Sequence, residues 1–261
     1  MSAETTVKHQ MVRSLTLVPA AAIILANIIG TGVFVKARVM TCNVGSPEMV
    51  LLVWFLAGVL TLCGALVYAE LGAMMPRSGG EFHFIGSAFG RRAAFLYGWT
   101  KTIALGASAA ALSIVLVMFL NGLLGGSLPP LAVPVLPLVV IAVSPALNLQ
   151  SAKSNGRTAT ILTAIKIALV LGVGLGAYVL ADGNWGNFSQ GSAAGTCEGV
   201  PESTRLGISG FGAAMLGALW GYNGWSVIAA MGAEVKDPGR TIPRALIGGT
   251  LTVIALYLFV N

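Results

Sequence analysis

From Thr102 to Ala152 the chain carries no charged residue. Few folds tolerate such a run. A hydrocarbon core about 30 Å thick takes roughly 20 apolar residues per helix, so this stretch is too long for one span, and Gly125, Gly126, Pro129 and Pro130 divide it into a third and a fourth. Leu15 to Val35, between Arg13 and Lys36, predicts the first span, and Met49 to Ala69, between Glu48 and Glu70, the second. The fifth runs from about Ala159 to Ala181 and contains one charge, Lys166. The sixth lies within Leu206 to Ala233, and the seventh starts near Ala245. Charged residues make up only 9% of the 261, where a globular protein carries about a quarter. So few charges cannot coat a soluble particle of this size, and the chain reads as an integral membrane protein. The first apolar stretch is longer than a signal-peptide core and no AxA-type cleavage site follows it, so it is expected to be retained.

Lysine and arginine set the orientation. The N-terminus and loops 2–3, 4–5 and 6–7 hold 11 of them, and the opposite loops hold 3 (Lys36, Arg38 and Arg205). This split places the N-terminus in the cytoplasm. That topology, with the buried lysine in the fifth span and not the seventh, weighs against a seven-helix receptor or retinal protein. The basic residues form no run with interleaved aromatics, so no nucleic-acid partner is expected. Three cysteines without a CxxC pair and two histidines leave no zinc site of the usual ligand count. No nucleophile triad, phosphate loop or dinucleotide fingerprint occurs. Neither enzymatic chemistry nor a cofactor is expected.

The informative departures from ideal membrane helices are mid-span glycines. Within lipid, an unwound stretch survives only where protein, water or ligand satisfies its backbone. The first span contains Asn27-Ile28-Ile29-Gly30-Thr31-Gly32, and the sixth Leu219-Trp220-Gly221-Tyr222-Asn223-Gly224-Trp225. Close helix packing is the alternative for each, because Gly217 and Gly221 form a GxxxG pair, as do Gly172 and Gly176 in the fifth span. Placement favours a site: interrupted spans in corresponding positions of two halves are the best sequence pointer to a transporter binding site. A first and a sixth helix stand one five-helix repeat apart.

Three motifs in order carry a family resemblance: Asn27 to Val35; Ala69-Glu70-Leu71-Gly72 with Pro76-Arg77-Ser78-Gly79-Gly80-Glu81-Phe82; and Gly221 to Trp225 with Gly232 to Pro238 and Ile242-Pro243-Arg244-Ala245. From about residue 14 onwards the chain resembles the amino acid–polyamine–organocation superfamily. It is most similar to the L-type amino acid transporter family and its bacterial serine/threonine and alanine exchangers. The resemblance implies an all-α membrane fold of inverted five-helix repeats. Residues 1–13 would be a cytoplasmic N-terminus, 14–181 the first repeat, 182–205 an extracytoplasmic loop, and 206–261 helices six and seven of an incomplete second repeat.

The resemblance implies amino acid transport, as sodium-independent exchange of small or neutral substrates. Thr31 and Gly32 would contact the substrate carboxylate at the N-terminal end of an outer half-helix, whose free N–H groups and dipole favour an anion. Gly30 and Gly32 would need their backbone freedom there, Gly221 would belong to the substrate site in the sixth span, and the carbonyls of Ile28, Trp220 and Asn223 would take the ammonium. Trp220 stands where the family places a gating aromatic. A charge two turns into an apolar helix is functional by default, and Lys166 stands where sodium-coupled members of the fold bind Na⁺; a fixed ammonium can bridge the same carbonyls.

Other residues carry structural expectations. Glu70, Arg77 and Glu81, with Glu234, Lys236, Asp237 and Arg244, could pair across the inner face. Lys101 would snorkel. Pro134, Pro137 and Pro145 would kink or shorten helix four, and Cys63 would be a small packing residue. Cys42 and Cys197 both fall in outer loops, which allows a disulfide without requiring it. Two rival functions remain: a cationic amino acid or polyamine permease, which acidic residues mid-span would favour, and a non-transporting membrane fragment. Because the fold resembled needs helix eight to close the site, the chain reads as a truncated or split permease or as an incomplete gene product, and in the split case a second polypeptide would supply the missing helices.

Overall fold

The structure is a computed structural model in which residues 12–30, 32–147, 152–180, 186 and 197–261 are described. Thr31 therefore lies outside the described residues. Among those described, nine α-helices and no strands are found: α1 (Leu17–Ile28), α2 (Gly32–Val44), α3 (Pro47–Met74), α4 (Glu81–Leu123), α5 (Ala132–Leu147), α6 (Ala152–Leu180), α7 (Gly207–Gly221), α8 (Val227–Ala230) and α9 (Pro238–Val260). Four helices are long and apolar enough to cross a bilayer, α1 and α2 pass that test as one bent pair, and α5 and α7 are shorter apolar helices. Helices thus lie at all seven expected positions. The chain is a multi-pass membrane protein.

Helix ends differ from the apolar windows for a consistent reason. α4 begins at Glu81, well before the charge-free run, and bends at Gly90, whose φ is 84°. α9 begins at Pro238 and not near Ala245, with proline in its first turn, where a missing N–H costs nothing. Hydropathy marks the part of a helix matched to lipid, and a helix does not stop at that boundary. α5 contains Pro137 and Pro145 and is 16 residues long.

The chain divides into two compact units, residues 1–80 with 156–261, and residues 81–155. In the second unit, Lys101 does not simply extend to the interface. Its ammonium stands 3.3 Å from Glu81, to which Tyr97 also donates a 2.6 Å hydrogen bond.

The core of the first unit packs α1, α3, α7 and α9 around Trp54, Tyr222 and Tyr257, all fully buried. Trp54 meets both tyrosine rings edge-on, with centroids 5.6 and 5.1 Å away. Gly221 makes room for it, since a Cβ there would lie 3.0 Å from the indole. In α6 the alternative of GxxxG packing is not met among the described residues: Cβ atoms at Gly172 and Gly176 would meet nothing within 4 Å. The close-packed glycines of this helix are Gly156, against Leu15 and Pro19, and Gly174, against Phe259. Cys63 is exposed on α3, not a packing residue.

The two ends of this unit are sealed differently. At one, Cys42 and Cys197 form a disulfide, Asn43 donates to the Thr204 carbonyl, and Arg38 donates to the Glu198 carbonyl. At the other, the seal is backbone. Ser14 and Leu15 donate to the Glu234 carbonyl, Lys236 donates to that of Leu15, and Gly79 donates to that of Ala230, all at 2.8–3.0 Å. The expected pairing of charges across this face is not what closes it. Among the described residues Glu70, Arg77, Glu234, Lys236, Asp237 and Arg244 make no ion pair. Backbone pairing brings the segments too close for long side chains to lie between them: a Cβ on Gly80 would stand 2.8 Å from the backbone of Ala229.

Candidate functional site

α1 stops at Ile28 because the next residues cannot hold a helix cheaply. Glycine costs about 1 kcal/mol in a helix interior, and Gly30 and Gly32 flank Thr31. Ile29 turns to an extended conformation, and the Asn27 amide folds back on the Ile23 carbonyl at 2.8 Å. The sixth span breaks the same way. α7 ends at Gly221, Asn223 donates its N–H to the Trp220 carbonyl at 3.1 Å, and Gly224 takes φ 123° before α8 begins.

The two breaks touch. A Cβ on Gly224 would lie 2.8 Å from the Asn27 carbonyl oxygen, and one on Gly32 would lie 3.2 Å from Cζ3 of Trp220. A cavity of about 410 Å³ opens beside them, lined by Trp220 and Asn223 together with Leu60, Thr61, Leu219 and Trp225. Among the described residues no charged side chain lines it. Trp220 is 51% exposed.

A helix end leaves its last carbonyls without intrahelical donors, and those of α1 are met by side chains from elsewhere. Lys166 donates from Nζ to the carbonyls of Ala26 at 2.8 Å and Ile29 at 3.0 Å. One turn earlier on α6, Thr163 donates to the Ala22 carbonyl at 2.9 Å. A cation is the natural partner for this terminus, which carries the negative end of the helix dipole.

Tyr257 supplies the contact that sequence reasoning missed. From α9 its hydroxyl reaches the Ile28 carbonyl at 3.0 Å and the Gly221 carbonyl at 3.2 Å, one from each break. The available signal was a phenol deep in an apolar span, since a buried tyrosine hydroxyl usually finds a partner. The Ile28 carbonyl, expected to take a substrate ammonium, thus already accepts one hydrogen bond and keeps a second lone pair. Trp220, Gly221, Asn223, Gly30, Gly32, Ile28 and Lys166 are gathered at the two breaks. Tyr257→Phe would remove the single O–H that the two buried carbonyls share and is expected to lower stability by about 1–3 kcal/mol, read as a fall in thermal midpoint; an unchanged midpoint would contradict the bridge.

Over residues 15–261 the sequence matches the amino acid permease family. It is 32% identical over 251 residues to the serine/threonine exchanger SteT of Bacillus subtilis, covering 95% of this chain and 54% of the relative. It is 30% identical over 255 residues to the human b(0,+)-type amino acid transporter 1, covering 95% and 50%. It is also 30% identical over 255 residues to the large neutral amino acids transporter small subunit 2 of Rattus norvegicus, covering 95% and 46%. The chain spans about half the length of the curated relatives it matches. Family match, helix order and paired helix breaks agree: the chain belongs to the amino acid permease family.

Proposed function

We propose that this protein takes part in sodium-independent exchange of small or neutral amino acids across the cell membrane, with its N-terminus in the cytoplasm. The observation that carries the reading is the Lys166 ammonium seated on the Ala26 and Ile29 carbonyls. It occupies the negative end of the α1 dipole with a fixed charge, where a coupling metal ion would otherwise compensate those oxygens. The substrate carboxylate then lies at the N-terminal end of α2, where the first N–H groups from Gly32 onward have no intrahelical acceptor. The ammonium is held by carbonyls of Ile28, Trp220 and Asn223. Trp220 closes over the bound zwitterion as the gate.

Exchange is supported by the relative named as a serine/threonine exchanger. The relative named as a small subunit supports assembly with a second polypeptide. A cationic amino acid or polyamine substrate is disfavoured, because among the described residues no carboxylate lines the cavity. Neither cofactor nor metal enters the scheme.

Gly32→Val tests the site. Its bulk would fall on the Trp220 ring and on the carboxylate position at once. Amino acid binding by the purified protein is expected to weaken at least tenfold, about 1.4 kcal/mol. Unchanged affinity would remove the carboxylate from α2.

A further inference from the structure

Lys36 does not line the cavity but stands beside the Trp220 ring that does. Lys36 lies on α2 four residues beyond Gly32, hence on the same helix face. Its ammonium is 5.3 Å from the centroid of the Trp220 ring, within cation–π range. Its stem runs along α7 at Gly217, where an added Cβ would lie 3.7 Å from Lys36 Cδ. The indole that lines the cavity therefore lies along the α2 face that carries Gly32 and Lys36. Among the described residues Lys36 has no carboxylate partner.

We propose that Lys36 is a specificity-determining residue: it sets a positive potential at the Trp220 wall, so that the cavity accepts neutral and anionic amino acids and rejects those with a cationic side chain. This rests on the cavity being an amino acid site, as proposed above. The α2 N-terminus already presents about half a positive charge, and Lys36 adds a full one to the same face. A cationic side chain about 8 Å from that ammonium, at an effective dielectric of about 20, is disfavoured roughly tenfold or more. The cavity lining offers it no compensating acid. An acidic side chain gains from the same field. The cation also attracts the face of the ring that would gate the site, which ties selection to closure.

Two measurements on the purified protein test this. The first reads the field without any substrate. The fluorescence of Trp220, isolated as the difference between the protein and its Trp220→Phe variant, is quenched with iodide or with caesium at matched ionic strength. With each quenching constant divided by that of free N-acetyltryptophanamide, which iodide already quenches more efficiently than caesium, the iodide-to-caesium ratio is expected to be at least about three, Lys36→Gln to bring it close to one, and Lys36→Arg to preserve it. Equal quenching by the two ions on that normalised scale in the unmodified protein overturns the proposal whether or not the Lys36 variants fold.

The second compares binding of radiolabelled lysine, serine and glutamate. Lys36→Gln is expected to raise lysine binding relative to serine about tenfold and to lower glutamate binding. An unchanged lysine-to-serine ratio, with serine still bound, overturns the selectivity role alone. Failure of the unmodified protein to bind any of the three overturns the amino acid site itself and the selectivity with it.

Discussion

Lys166→Ala is expected to abolish amino acid binding, by at least a hundredfold, while the protein still reaches the membrane. The ammonium donates to the Ala26 and Ile29 carbonyls at 2.8 and 3.0 Å, and its loss strands both at the end of α1. Each stranded group costs about 1–3 kcal/mol. Hundredfold corresponds to about 2.7 kcal/mol, so loss of the pair suffices. The damage is local because the same backbone forms the substrate site. Lys166→Arg is expected not to restore binding, since a planar guanidinium cannot substitute for a compact ammonium between two carbonyls. Uptake by the unmodified sequence should be equal in sodium and choline buffers. Binding by Lys166→Ala within threefold of the parent, or sodium-stimulated uptake by the parent, would exclude the lysine as a substitute ion.

Gly224→Ala should destabilise the first unit by about 3 kcal/mol or more, a magnitude reserved for clashes that nothing nearby can relieve. Gly224 holds φ at 123°, where a side chain is strained, and its Cβ would stand 2.8–3.0 Å from the oxygen, carbonyl carbon and Cβ of Asn27. Two of those atoms are backbone and cannot swing aside, so the breaks must separate. Gly30→Ala is the contrast. A Cβ there meets no atom within 4 Å, so its stability should change by less than about 0.5 kcal/mol. Thermal unfolding of both variants in one detergent decides the matter. Equal midpoints would mean that the breaks are not in contact.

How far the sequence reaches depends on which kind of group carries the structure. Glycines inside an apolar span are conspicuous, and the breaks after Ile28 and Gly221 lie where Gly30 to Gly32 and Gly221 to Gly224 place them. Lys166 is equally conspicuous, a lone charge in a helix otherwise apolar for its depth. Backbone pairing leaves no such mark. Nothing in the side chains of Leu15, Gly79 or Ala230 announces that their amides and carbonyls close one end of the unit, and the charges nearby suggest ion pairs instead. Tyr257 escapes for a related reason. Its acceptors lie on residues 28 and 221, remote in sequence, and only the fold brings two broken helices to one hydroxyl. In α6, three glycines lie within five residues, and the GxxxG spacing selects the outer two, whereas Phe259 packs on the middle one.

The central claim is that the paired helix ends recognise a zwitterion, its carboxylate on α2 and its ammonium on the carbonyls of the breaks. Equilibrium binding of radiolabelled serine to the purified protein in sodium-free buffer tests it most directly, with unlabelled competitors that lack one group at a time. Competition by serine and alanine is expected, with ethanolamine (no carboxylate) and lactate (no ammonium) each at least a hundredfold weaker. Displacement by either as effective as that by serine, or binding that appears only when sodium is added, would contradict the account.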